Sequence, residues 1–356
     1  MLGGGERFPL ELARALAEKV DCELISFGPR PGTSREPGGL RQRTVRPLGY
    51  LGGHPAHPLA PGLLTALAGA ELVHTHHMRS APSRLAALRA RAARQRVVVT
   101  DHGLQGDSWA GLLPRLFDRF LTVSAFSARE LRLPPDRTRL IYGGADPRRF
   151  APDPAVSRRG VLFVGRITPH KGVDRLIAAL PPFAELLVAG STGHDPAPPE
   201  RDYPVLLRRL AEGHRVRFLG PVGEQALPDL YRRAVVLVLP SVARTCYGRT
   251  VRVSELLGLA VIEAMASGTP VIASRIGGLP EVIEHGETGF LVEPGDVGEL
   301  RERLIEVLSQ PRLAARLGRK ARELAEERFT WQACAERCLA AYTELMPPPA
   351  VQGRQL

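Results

Sequence analysis

The sequence predicts an α/β protein of two doubly wound, Rossmann-like domains facing each other across a cleft. Three observations carry this expectation. Short runs rich in Val, Ile and Leu recur along the chain, stretches of helical periodicity separate them, and the whole alternation occurs twice. Near-continuous apolar strands joined through helices belong to parallel sheets covered on both faces. A length of 356 residues suits about two such domains.

The strands of the first half are expected at CELISF (22–27), ELVHTH (71–76), RVVVT (96–100), FLTVS (120–124) and TRLIY (138–142). Those of the second are expected at GVLFVG (160–165), ELLVAG (185–190), RVRFLG (215–220), VVLVLP (235–240), PVIAS (270–274) and GFLVE (289–293). Helices are expected at 9–20, 172–180 and 259–267, and the chain reads as helical from Gly298 onward. The Pro- and Arg-rich segment 146–160 reads as a linker. The domains are then 1–150 and 151–329, followed by a helix at 330–346 that packs back on the first domain and a tail at 347–356. Only Met1 and Leu2 precede the first glycine loop, so either the first domain lacks a leading strand or the true start lies upstream.

Composition narrows the class. At 44% hydrophobic and 24% charged residues the chain is an ordinary globular one. Its start has neither the charged region nor the apolar core of a signal peptide, and no run approaches the roughly 20 apolar residues of a membrane span. Four scattered cysteines imply reduced thiols and a cytoplasmic protein. Charge is uneven: residues 1–150 hold 22 Lys and Arg against 13 Asp and Glu, and the remainder 26 against 24. A basic first half favours phosphates or an anionic membrane surface. The arginine-rich stretch 83–96, with Leu85 and Leu88, is either a solvated helix face or a membrane contact. Nucleic acid is not expected, since aromatics make up 5% and no RNA-binding signature occurs.

Several motifs point to phosphate and sugar chemistry. FVGRITPHKGVDRL (163–176) follows a strand and opens a helix. Arg166 and Lys171 can both reach one anion there, beside amides at the helix start. Lys171 is one of three lysines among 48 basic residues, and its compact charge suits an anion beside a glycine turn, the other reading being two surface cations near a helix. GGGER (3–7) is a glycine loop before a helix, open to close approach by a phosphate. VVTDHG (98–103) ends a strand on His102, where ligands of α/β sheets bind. Glu255 and Glu263 stand in an apolar stretch, and a buried carboxylate without a partner is costly. With Glu255 in a loop and Glu263 in the helix after Gly258, their offset spans about 12 Å or more and suits a nucleotide sugar. GGLPE (277–281) offers a second glycine turn to the same ligand.

Together, GGGERFPLELARALAE, VVVTDHG, LTVSAFSARELRL, RLIYGGADPRRFAP, VLFVGRITPHKGVDRLIAAL, RVRFLG and the block 255–296 resemble the retaining GT-B glycosyltransferases of family 4, the glycosyltransferases group 1 set. The likeness covers nearly the whole chain, and Glu255-x7-Glu263 is its most specific part. It implies a nucleotide-sugar donor on the C-terminal domain and a glycan, lipid-linked or small-molecule acceptor on the N-terminal one. It implies that Arg166 and Lys171 hold the diphosphate, Glu263 the ribose, and that Glu255 and His102 face the reacting sugar. Gly278 and Leu279 give backbone contacts, Gly3 and Gly4 close over the phosphates, and the RVRFLG strand end borders the base. No Asp-x-Asp motif occurs, so the family reading expects no metal and no cofactor beyond the donor substrate. A nucleotide-sugar 2-epimerase is the alternative on the same fold. The segment 243–253 is longer than the family pattern at that place.

Overall fold

The computed structural model describes residues 4–55, 57–102, 113–192 and 200–346. The described residues divide into two compact units, one built on Gly143–Ala333, to which Gly4 is also assigned, and one on Gly5–Tyr142 with the chain from Cys334 on. The first of these starts eight residues before the expected boundary, because Ala145 N–H bonds Phe329 O at 2.9 Å and Gly144 abuts the backbone of Thr330.

The N-terminal unit opens with α1 (Gly4–Ala17), whose Phe8, Leu12, Ala15 and Leu16 are buried at helical spacing. The helix starts earlier than its periodicity predicted and takes in Pro9. Strands β1 (Glu23–Phe27), β2 (Gly32–Arg35) and β3 (Arg41–Val45) follow, with β1 parallel and β2 antiparallel to β3. A small hairpin of β4 (Gly49–Tyr50) and β5 (Pro58–Leu59) leads to α2 (Gly62–Ala66). A parallel sheet then runs in the order β6 (Leu72–His76), β7 (Arg96–Thr100), β8 (Arg119–Thr122), β9 (Thr138–Leu140). Helix α3 (Ala81–Ala92) joins β6 to β7, capped by Ser80 Oγ on Ser83 N–H at 3.3 Å. Helix α4 (Ala125–Glu130) is capped likewise by Ser124. Val73, Val97, Val99, Phe117 and Phe120 form the core with Ala86, Ala87 and Ala90 of α3, and Ile25 and Phe27 of β1 pack on it. Among the described residues β1 and β6 are edges of separate sheets, so side-chain packing rather than backbone bonding joins them.

The second unit holds one six-stranded sheet, parallel throughout. Its strands are β10 (Val161–Val164), β11 (Glu185–Ala189), β12 (Arg215–Gly220), β13 (Val236–Leu239), β14 (Val271–Ser274) and β15 (Gly289–Val292). They lie in the order β12-β11-β10-β13-β14-β15. Every residue of β10, β13, β14 and β15 is buried, as expected when helices cover both faces. The helices are α5 (Val173–Ala179), α6 (Tyr203–Leu210), α7 (Leu227–Arg233), α8 (Leu259–Ala266), α9 (Val297–Ser309) and α10 (Pro311–Arg328). Gly318 lets α10 close on α8's end, since a Cβ there would lie 2.2 Å from Gly268 O.

The last helix, α11 (Trp331–Thr343), returns to the N-terminal unit from Cys334 on. Cys334 Sγ–H donates to Tyr142 O at 3.3 Å, Lys19 pairs with Glu336 at 3.1 Å, and Arg139 forks onto Glu344 at 2.7 and 3.0 Å. The expected tail at 347–356 lies outside the described residues.

Candidate active site

The strand order of the six-stranded sheet reverses direction between β10 and β13. Ligands of open α/β sheets bind beyond the carboxyl ends of the strands at such a switch point. The segment leaving β10 carries Arg166, which is exposed and has no ion-pair partner among the described residues. Backbone bonds fix this segment: Gly165 N–H to Ala189 O at 3.0 Å and Ile167 N–H to Ser191 O at 2.7 Å. A 3-10 turn over Pro169–Lys171 ends on Gly172 at φ 68°, where a Cβ would stand 2.0 Å from Pro240 O. Glycine is therefore required for the start of α5 to lie against the end of β13.

Lys171 closes the arrangement. Its Nζ donates to Glu255 Oε1 and, at 3.2 Å, to Ser254 O. Ser241 Oγ–H, just past β13, donates to the same Oε1 at 2.8 Å. Glu255 is buried, so the ammonium and the hydroxyl offset the cost of its charge. Oε2 has no protein donor among the described residues. Behind the pair, Ser254 Oγ–H bonds Val242 O at 2.6 Å and Val242 N–H bonds His170 O at 2.9 Å. Burial, then the positive charges of Lys171, Arg166 and Arg249, lowers His170 to about 3 and keeps it neutral.

The glycine turn 277–281 lies against the same backbone. Gly277, at φ 63°, leaves a hypothetical Cβ only 2.0 Å from Glu255 O. Gly258, at φ 91°, caps α8 and touches Leu279, whose side chain is fully buried. The backbone N–H of Leu279 bonds Ile276 O at 3.2 Å and that of Gly278 bonds Glu255 O at 3.4 Å, so the turn is closed on itself and on the Glu255 loop. Glu263 sits on α8, as its spacing predicted, but is held separately. Tyr231 Oη–H on α7 donates to Glu263 Oε2 at 2.8 Å, and Thr269 Oγ1–H donates to Tyr231 O at 2.7 Å. The two glutamates thus have different donors, and sequence reasoning identified none of Ser241, Tyr231 and Thr269.

Beside Arg166 and Ile167 a pocket of about 310 Å³ opens at the ends of β11 and β12, lined by Gly190, Ser191, Arg208, Phe218 and Gly220. A Cβ on Gly190 would lie 1.7 Å from Gly165 O, so glycine keeps the two strand ends together. The long segment 243–253 forms a small hairpin through the Arg244–Thr250 bridge, tied down by Arg249 on Glu200 at 2.6 Å. It delivers the chain to Ser254 and Glu255.

His102 belongs to the N-terminal unit, and there it has company that the sequence reading missed. The period-two alternation at the end of β6 puts His74 and His76 on one face, and the register pairs His76 with Thr100 of β7. His76 Nδ1 and His102 Nε2 share a hydrogen bond at 3.0 Å, their rings stacked 5.3 Å apart. His74 stacks on His76 and is held by Thr100 Oγ1 at 2.8 Å and Tyr342 Oη of α11 at 2.7 Å. Phe8 of α1 covers His102 with ring centroids 4.6 Å apart. Burial lowers His74 to about 3 and drives His76 and His102 well below the usual histidine range, with help from the neighbouring imidazoles.

The glycine loop is corrected: Gly4 and Gly5 form the first turn of α1 rather than a loop before it, because Arg7 and Phe8 are already buried on the helix. Gly3 lies outside the described residues. Among the described residues no set of three or more His, Cys, Asp or Glu is arranged to hold a metal ion, and no helix is long and apolar enough to cross a membrane.

Known proteins share this architecture. The family model for glycosyl transferases group 1 matches residues 147–324, and that for glycosyltransferase family 4 matches residues 2–149. A D-inositol 3-phosphate glycosyltransferase of Streptomyces scabiei is 36% identical over 258 residues, 65% of this chain and 55% of that protein. One of Streptomyces avermitilis is 39% identical over 196 residues, 52% of this chain and 39% of that protein. The chain spans about half the length of the curated relatives it matches. Among solved structures, a sucrose-phosphate synthase from Thermosynechococcus elongatus superposes with a TM-score of 0.72 at 25% identity, over 96% of this chain and 94% of that one. Anabaena HepE, in complex with UDP and glucose, gives 0.73 at 21% identity over 96% of each chain and shares the fold. The epimerase alternative gains no support, since both family models are of glycosyltransferases. Sheet order, motif spacing and these matches agree that the chain belongs to the glycosyl transferases group 1 family, with the GT-B architecture.

Proposed function

We propose that the protein transfers a sugar from a nucleotide-diphosphate sugar to an acceptor hydroxyl, with retention of anomeric configuration and without a metal ion. The observation that carries this reading is the Lys171–Glu255 pair at the switch point, with Arg166 beside it. Arg166 and Lys171 supply positive charge where a departing diphosphate gathers negative charge. Glu255 Oε2 faces the donor sugar, Glu263 accepts from the ribose hydroxyls, and the backbone at Gly278 and Leu279 borders sugar or phosphate. The base occupies the 310 Å³ pocket, against Phe218 at the RVRFLG strand end. By the family reading, His102 meets the donor sugar.

In the reaction the bond from the anomeric carbon to the diphosphate oxygen breaks. The acceptor oxygen bonds that carbon on the same face, and its proton passes to the leaving phosphate. Neutral His102 suits a hydrogen-bonding role, and burial keeps it neutral. The relatives named for D-inositol 3-phosphate make a phosphorylated polyol the first small-molecule acceptor to test. A glycan or lipid-linked acceptor at an anionic inner membrane face of the cytoplasm is the reading suggested by the basic first half.

The test incubates the protein separately with UDP-glucose, UDP-galactose, UDP-GlcNAc, GDP-mannose and ADP-glucose, with and without inositol 3-phosphate. A true donor at 100 times its Kd raises stability by about 2.7 kcal/mol. The anomeric proton coupling of the product is read by NMR, with and without EDTA. An inverted product, or activity abolished by EDTA, overturns the respective part of the proposal. Silence from every donor in a folded protein overturns its core.

A further inference from the structure

Between residues 37 and 100 the chain carries nine arginines and one acidic residue, Glu71. This stretch includes the β4–β5 hairpin, which exposes an unusual amount of apolar surface. Leu48 is 83% exposed, and Tyr50, Leu51 and Leu59 are each nearly half exposed. Backbone bonds from Leu48 N–H to Leu59 O at 2.7 Å and from Leu51 N–H to His57 O at 2.9 Å hold them on one small hairpin. Single exposed leucines are ordinary, but a cluster on a projecting turn marks an interaction surface.

The hairpin is anchored to the arginine-rich helix. Ala81 N–H, at the start of α3, donates to His57 Nδ1 at 3.2 Å. Along α3 the exposed residues Arg84, Leu88 and Arg91 recur at i, i+4 and i+7, so cations and a leucine share one face. Arg94 and Arg96 follow directly. Asp118 partly meets the charge of Arg91 and Arg96, at 3.6 and 3.4 Å. Arg84 and Arg94 have no ion-pair partner among the described residues.

We propose that this hairpin, with the exposed face of α3, docks on an anionic lipid bilayer. The proposal rests on the reading of a membrane-located acceptor for its purpose, and deepens it by naming the surface. Charge complementarity selects the occupant: arginines flanking exposed leucines and a tyrosine suit phosphate headgroups above an acyl boundary. A neutral protein partner would have no use for so one-sided a charge.

The experiment is co-sedimentation of the full chain with vesicles of phosphatidylcholine alone or with about 30% phosphatidylglycerol, at about 50 mM and about 500 mM NaCl. Wild-type protein should bind the anionic vesicles at least about tenfold better than the neutral ones, and high salt should remove most of that binding. Leu48→Ser/Leu51→Ser and Arg84→Gln/Arg94→Gln should each weaken binding by at least about tenfold with unchanged melting temperature and donor-induced stabilisation. Absence of binding at low salt, or both variants binding like wild type, overturns the proposal. A dimer that forms in the absence of vesicles and is lost in Leu48→Ser/Leu51→Ser also overturns it, assigning the surface to a second copy. Vesicle binding without any donor effect would leave this surface standing and count against sugar transfer instead.

Discussion

Lys171 and Glu255, 84 residues apart in sequence, share a hydrogen bond that ties the start of α5 to the loop before α8. The ammonium thereby sits at the sheet's switch point with its charge already directed, held by Ser254 O as well. Because both side chains are largely buried, neither is a casual surface partner. Preorganised charge of this kind acts on a departing phosphate without having to reorganise.

Lys171→Ala should therefore lower kcat/KM by about 100-fold or more. It should also cost about 3–5 kcal/mol of stability, since it strands a buried carboxylate. The double variant Lys171→Ala/Glu255→Gln should recover much of the stability and none of the activity. Urea melts and steady-state rates on the two variants check this; activity recovered along with stability would refute the phosphate role of Lys171.

Tyr231→Phe removes the hydroxyl that donates to Glu263 Oε2 and leaves the ring against Phe150 in place. A hydrogen bond to a charged group contributes about 1.5–3 kcal/mol, so that much stability should be lost. If Glu263 holds the ribose, the donor Kd should rise while kcat changes little. Calorimetric titration with the donor found in the panel reads this, and an unchanged Kd would argue against the ribose assignment.

Much of this fold was legible beforehand. Strands β10, β13, β14 and β15 of the second unit are apolar runs buried at every position, and burial on both faces makes such runs hard to mistake. Strands β2 and β3 were not legible, because GTSR is exposed at all four positions and RQRTV carries two arginines. Salt bridges from Arg41 to Asp21 and Arg43 to Glu23 flank them instead of an apolar face. Within the site, residue types at fixed spacing showed Arg166, Lys171, Glu255 and Glu263. Their donors were hidden because Ser241 and Tyr231 come from other strands and helices with no local pattern. The sequence marks His74 and His76 only as strand residues; the signal for the ladder is their alternation beside a neighbouring strand that ends near His102.

Gly277 and Gly286 give a controlled comparison of two effects. Both have positive φ, at 63° and 82°, so alanine strains the backbone at each by about 1–3 kcal/mol. At Gly286 the new methyl meets open space, whereas at Gly277 it would collide with Glu255 O. Gly277→Ala should accordingly cost clearly more stability than Gly286→Ala and should weaken donor binding, which Gly286→Ala should spare. Equal melting temperatures for the two variants would mean that the glycine turn is not fitted to Glu255.

The histidine ladder predicts how the N-terminal unit responds to acid. In the unfolded chain each imidazole titrates near 6.5, whereas folding holds His74 at about 3 and His76 and His102 well below their ordinary value. Between those limits the unfolded state binds more protons, so stability is present above about pH 6.5 and is lost as pH falls toward 3. Each histidine adds a slope of up to about 1.4 kcal/mol per pH unit. The His76–His102 bond reinforces this, since it needs at least one of the facing nitrogens unprotonated. His74→Gln keeps a polar side chain able to reach Tyr342 and Thr100 but removes one titrating group. Its melting temperature should fall less steeply than that of the wild type between pH 6.5 and 4.5. Parallel pH profiles for the two proteins would show that the ladder does not carry the acid sensitivity.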